Sequence, residues 1–114
     1  MLNNRQAIHE ALGINQYDMV NANPFFQNHT SKQPGCQIDY LIQTSFDTLY
    51  VCEIKFSKHP IGTEVIREVQ QKIERLNRPK GFSCRPVLIH VNGVSEEVME
   101  NNYFATIVDM AKFL

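Results

Sequence analysis

The chain has 114 residues and a mass of 13.2 kDa, enough for one domain over residues 1–114 and too little for a second core. Hydrophobic residues at 43% and charged residues at 20% are the proportions of a folded chain and exclude a disordered one. A formal net charge of −1 argues against a nucleic-acid binder that works by bulk charge.

No apolar run approaches the roughly 18 residues of a membrane span, and the N-terminus has no signal-peptide core. Neither a membrane partner nor export is expected. Three cysteines without a CxxC pair suit neither a disulfide framework nor a zinc knuckle, and point to a reducing cytoplasm. The charge is unevenly placed. Residues 1–54 carry two basic side chains (Arg5, Lys32) against five acidic ones. Residues 55–90 carry eight basic (Lys55, Lys58, Arg67, Lys72, Arg75, Arg78, Lys80, Arg85) against three acidic, a balance of +5. Residues 91–114 carry Lys112 against four carboxylates. Either a solvated helix face or a phosphate-facing surface produces such a basic middle third.

Residues 3–12 (NNRQAIHEAL) predict a short helix, with Asn3 or Asn4 as cap, Ala7, Ile8, Ala11 and Leu12 as apolar stripe, and Gly13 as stop. Residues 14–35 hold many Asn and Gln with Pro24, Pro34 and Gly35. They predict mostly loop, with one short strand near 24–29, and with Phe25 and Phe26 as core rather than a base-stacking platform. Gln37–Gln43 and Leu49–Phe56 are strand-length runs rich in β-branched and aromatic residues. Ser45–Thr48 between them makes a hairpin with a loop of about four to five residues. Thr63 is placed to cap a helix running to about Asn77. Val65, Ile66, Val69, Ile73 and Leu76 form its apolar face, and Arg67, Gln71, Lys72, Arg75 and Arg78 lie away from it. Val87–Val91, bounded by Pro86 and Asn92-Gly93, predicts a buried strand parallel to 49–56. A short helix near 95–101, a strand near 105–109 and a small tail complete an α/β fold with a mixed sheet.

A turn centred on residue 46 pairs positions whose numbers sum to 92. Asp39, sharing a face with Gln37 and Leu41, then lies opposite Glu53, which shares a face with Val51 and Lys55. Opposed residues have Cβ atoms about 4.5–5.5 Å apart. Two carboxylates at that separation repel, and Mg²⁺ or Mn²⁺ is the natural compensation for hard oxygen donors so close together. Lys55, two residues along, is placed to orient a water or stabilise developing charge. A solvent-exposed hairpin face would need no compensation. Cys52, Ile54 and Phe56 on one side of the strand, with Leu41 and Val51 on the other, instead suggest burial on both faces.

GCQID, with Asp39 fourteen residues before Glu53-Ile54-Lys55, resembles the D…ExK core of the PD-(D/E)XK (restriction-endonuclease-like) nuclease superfamily. More narrowly, GCQIDYLI…TLYVCEIKFSK is similar to the nuclease-like C-terminal domain found behind many prokaryotic AAA-type ATPases. IHEALGI and the closing NNYFATIVDMAKFL resemble the same family. The resemblance implies a restriction-endonuclease-like αβββαβ core and metal-dependent hydrolysis of DNA phosphodiesters, with RNA as the other candidate substrate. Asp39, Glu53 and the Ile54 backbone carbonyl would hold Mg²⁺ or Mn²⁺, and Lys55 would position the attacking water. Lys58, Arg67, Lys72 and Arg75 would meet the nucleic-acid backbone.

The first helix starts near the N-terminus, where the family has an upstream carboxylate; Glu10 is the candidate substitute. Gln37 and Gln70 are further accessory candidates, the latter also explained as a surface glutamine. No GxxxxGK[ST] loop occurs, so the expectation is a stand-alone domain or a remnant, with any ATPase a separate partner. A homodimer would double the basic surface. The competing expectation is a non-catalytic nucleic-acid-binding or protein-interaction module that retains the fold. The four histidines lack metal-ligand spacing; His90 is expected to be a satisfied histidine at a strand end, and Cys52 a small core hydrophobe.

Overall fold

The computed structural model describes residues 5–113, so the expected cap at Asn3 or Asn4 lies outside the described residues. The elements are α1 (Arg5–Ala11), β1 (Met19–Gln27), β2 (Cys36–Thr44), β3 (Thr48–Lys55), α2 (Glu64–Arg75), β4 (Ser83–His90), α3 (Glu96–Asn101) and β5 (Thr106–Asp109). One five-stranded sheet has the order β1-β2-β3-β4-β5. The first two pairings are antiparallel and the last two parallel. The mixed α/β architecture expected from the chain is therefore present. Among the described residues no helix is long and apolar enough to cross a membrane.

The β2–β3 hairpin closes with three loop residues, one or two fewer than expected, and pairs Tyr40 with Cys52, Leu41 with Val51 and Thr44 with Thr48. Asp47 ends the loop at φ 55, the left-handed residue that three-residue hairpin loops use and that a short polar side chain tolerates. β3 then crosses through α2 to β4, aligning Cys52 with Val87 and Lys55 with His90.

Two strands are longer than their sequences suggest. β1 is a nine-residue strand where mostly loop is expected. It is an edge strand with Val20, Asn21, Asn23 and Phe26 exposed, so it has neither the apolar alternation nor the β-formers of a buried strand. Its Pro24 falls where the register with β2 shifts, a place that needs no ladder donor. β4 begins at Ser83 and runs through Pro86, which was expected to bound it. The Pro86 carbonyl accepts from the Ala105 amide at 2.8 Å, so the backbone groups of Pro86 face the β5 side. β5 starts only at Thr106, opposite Val87, and the missing N–H leaves no bond unmade.

The sheet is sandwiched. On one face α1 places Ile8 against Tyr40, Ile42, Cys52, Val87, Ile89 and Val108. On the other, Val65, Ile66 and Val69 of α2 pack with Leu88 and with Val98 of α3. Leu76 covers Ile38, Leu49 and Val51. Thr63 precedes α2 as expected, but its side chain makes no capping bond. The far end of α2 is tied to β1 by buried Gln27. Its Nε2 donates to the carbonyls of Arg75 (2.6 Å) and Pro34 (2.8 Å), and its Oε1 accepts from the Asn77 amide at 2.7 Å. Gly35 permits this closeness, since a Cβ there would lie 3.1 Å from the Gln27 carbonyl oxygen.

α1 is held by a polar bond as well as by Ile8. His9 Nε2 and the hydroxyl of fully buried Tyr40 lie 2.7 Å apart, with the rings stacked. Burial, aided by the Arg5 charge, pushes the His9 pKa below its ordinary 6.5. A base whose pKa is lowered by folding contributes stability that is full above the unfolded value and is lost as pH falls below it. Denaturant melts at about pH 7.5 and about pH 5 should therefore show a larger acid-side loss in the wild type than in His9→Gln. Equal losses would remove His9 as the cause.

Candidate functional site

The expected Asp39–Glu53 opposition is approached but not reached. The β2–β3 ladder keeps the predicted offset down to Tyr40–Cys52 and then stops. On the β1 side, Pro24 alone stands between Asn23 (paired with Leu41) and Phe25 (paired with Ile38), while β2 spends Asp39 and Tyr40 on the same interval. Two residues against one make a β-bulge, which bends a strand and re-aims a side chain. Ile38 and Leu41 both pack in the cluster under Leu76, which uninterrupted two-residue alternation forbids. Asp39 therefore does not share a face with Leu41, as the sequence predicts. Instead its Oδ2 accepts from the Ile54 amide at 2.8 Å, replacing the lost ladder bond. The Ile54 carbonyl belongs to the same strand residue and points to the same side of β3 as that amide.

Glu53 is 3% exposed. Lys72 of α2 donates to both of its carboxylate oxygens, at 2.7 and 3.1 Å. Burial pushes the Glu53 pKa up, the Lys72 ammonium opposes that, and the neighbouring Asp39 carboxylate adds to the rise; the net direction is upward. Lys55, two residues on, pairs with Glu68 of α2 at 2.8 Å. Its pKa is pushed up chiefly by that bond to Glu68, with the Glu53 and Asp39 carboxylates adding to the effect. Asp39, Glu53 and Lys55 thus lie within one another's electrostatic reach. Lys72 joins them, where the sequence has it on the solvated face of the helix.

Lys72 had a readable signal. It lies seven residues after Val65 and three after Val69, on the apolar stripe rather than away from it. Arg67 and Arg75 are exposed on α2, and Lys58 is exposed in the loop after β3. Gln70 also lies on the exposed side of α2. Glu10 is not brought to the cluster. It lines a separate hollow with Arg5, Gln6 and His9, because the first helix crosses the sheet at Tyr40 rather than at Glu53. His90 is buried and accepts from the Gly93 amide at Nδ1, 3.0 Å away, the satisfied histidine expected. Burial pushes the Cys52 thiol up to about 12, with Asp39 adding to it, so Cys52 is an inert core residue.

Beside Asp39 opens a cleft of about 400 Å³ lined by Pro24, Phe25, Phe26, Gln37, Ile38, Asp39 and Ile54. Phe25 is half-buried against the core, but Phe26 is 67% exposed. The expectation that both are core fails for Phe26, because β1 is an edge strand and its pairing with Gln37 turns Phe26 away from the cluster under Leu76.

Comparison of the chain with protein-family models, curated proteins and solved structures finds no match. The site must be read from its own chemistry. Among the described residues no group of three or more His, Cys, Asp and Glu side chains is arranged to hold a metal. The donor set here is two carboxylates and one carbonyl, all hard oxygens. Mg²⁺ is commonly held by one or two carboxylates, with water and phosphate oxygens completing its shell, so this set fits it. Lys72 on Glu53 shows that the carboxylate already binds a cationic group.

The two lysines differ in burial and therefore in energetic weight. The Lys55 and Glu68 side chains are 37% and 44% exposed, and Lys55→Ala should cost less than about 1 kcal/mol. Lys72→Ala leaves the buried Glu53 charge unanswered and should cost about 1–3 kcal/mol. Adding Glu53→Gln to Lys72→Ala should recover part of that loss in a urea-denaturation double-mutant cycle. Additive losses would show that the pair is not coupled.

Proposed function

We propose that the protein is a metal-dependent nuclease of the PD-(D/E)XK kind, hydrolysing phosphodiester bonds of DNA, on a restriction-endonuclease-like αβββαβ core. The observation that carries this reading is the meeting of Asp39 and Glu53 at the point where β2 and β3 part, with Lys55 and Lys72 beside them. The order α1-β1-β2-β3-α2-β4 supports it.

Asp39, Glu53 and the Ile54 carbonyl would hold Mg²⁺ or Mn²⁺, which polarises a phosphoryl oxygen and acidifies bound water. The remaining roles belong to the chain itself. The Ile54 amide fixes Asp39, so one carboxylate is oriented before substrate arrives. Lys72, bonded to both carboxylate oxygens, opposes the upward push that burial gives the Glu53 pKa. Lys55, half-buried and in the field of both carboxylates, is the group placed to orient a water or meet developing phosphate charge. Lys58, Arg67 and Arg75, all exposed, supply backbone contacts.

A second reading keeps the fold and drops the chemistry. It is favoured by the engagement of both lysines with carboxylates and by Glu10 lying elsewhere. The two readings separate in one assay series. With Mg²⁺ or Mn²⁺, cleavage of plasmid or single-stranded DNA is expected, and Asp39→Asn or Glu53→Gln should lower it at least about a hundredfold. Salt-sensitive binding without cleavage, weakened by neutralising Arg67 and Arg75, would support the binding module instead. Absence of both overturns the nuclease and the nucleic-acid-binding module together.

A further inference from the structure

We propose that the cleft beside Asp39 receives one unpaired nucleobase, stacked on Phe26 with its edge against the Gln37 amide. Resting on the nuclease reading, this makes single-stranded or frayed nucleic acid the substrate class. Phe26 is the one exposed large hydrophobic, among the described residues, that lines the cleft holding Asp39. Its cross-strand partner is Gln37, which is exposed and lines the same cleft. An aromatic face beside an amide is the pairing that single-strand readers use: the ring takes the base plane, and the amide offers both donor and acceptor to its edge. The volume, about 400 Å³, lies within the ordinary range of small-ligand sites.

Position ties the cleft to the site. Asp39 is both a wall of the cleft and a proposed metal ligand, so a base in the cleft and a phosphate at Asp39 belong to the same or adjacent nucleotides. An aromatic face beside a proposed metal ligand matches the alternation of base and phosphate along a single strand. In a duplex each base is already stacked and paired, so Phe26 has no free face to take.

The chain has no tryptophan, so Phe26→Trp creates a sole indole at the slot. With Ca²⁺ in place of Mg²⁺, a labelled oligothymidine should quench that indole in step with its own anisotropy rise, and a duplex should not. Phe26→Ala should weaken single-strand binding about tenfold and leave duplex binding unchanged, while Phe26→Tyr should retain it. An unquenched indole while the oligonucleotide is bound, or equal losses for single strand and duplex, overturns the stacking site and leaves the nuclease reading standing. A concentration-dependent blue shift without nucleic acid would mean that a second copy covers Phe26, which also overturns it. No binding of any nucleic acid overturns both readings.

Discussion

The ion pair between Glu53 and Lys72 sets the position of α2 on the sheet. A lone carboxylate at 3% exposure would cost several kcal/mol, so the helix that buries it must also bring a cation. The second pair, Lys55 with Glu68, follows the first. α2 runs back along β3, so the earlier strand residue meets the later helix residue. Two strand residues span about 6.6 Å and four helix residues about 6 Å, so both pairs form at one docking position. Sliding α2 by one turn would set Glu68 against Glu53, carboxylate on carboxylate. The apolar contacts of Val65 and Val69 tolerate small slips of the helix; the alternating charges do not.

The same arrangement creates the opening at Asp39. β3 is gripped by β4 along its whole length, but by β2 only as far as Tyr40–Cys52. The bulge releases β2, and Asp39 recovers one bond by accepting the Ile54 amide. A carboxylate is thereby held at the mouth of a strand gap, on the side opened by Pro24 and Phe26 of the edge strand. Ladder, bulge and edge strand each contribute one wall. Their meeting point lies at the C-terminal ends of the parallel strands β3 and β4, where open α/β sheets characteristically present ligands.

Much of this was legible in the amino-acid order, for reasons that also explain the exceptions. The hairpin register could be read because a tight turn at residue 46 sets the offset of every later pair. The crossover could be read because Val65, Ile66 and Val69 announce a helix between two apolar runs. β1 could not, since an edge strand exposed on most of its length needs neither alternation nor β-branched residues. The bulge was hidden because Ile38, Tyr40 and Ile42 look like one unbroken alternating face, and Ile38 betrays its turn to the other side only through contact with Leu76. Lys72 carries its signal in its place on the stripe of Val65 and Val69, a signal masked by the basic character of the segment around it.

Charge is where the order of residues and the structure inform each other most. The +5 segment suggests a broad basic surface, but Lys72 is committed to Glu53 and Lys55 to Glu68, and neither is a free surface cation. Lys58, Arg67, Arg75, Arg78, Lys80 and Arg85 remain exposed, so six of the eight basic side chains of that segment are left to attract a polyanion in a salt-dependent way. With a net charge of −1, that attraction is local to one segment, and position must add to it. On the proposed reading, that position is supplied by two fixed carboxylates at the phosphate and by an aromatic slot for the neighbouring base. A net charge of −1 is compatible with such a site, because the exposed basic side chains are gathered in one segment and short-range geometry adds to their attraction.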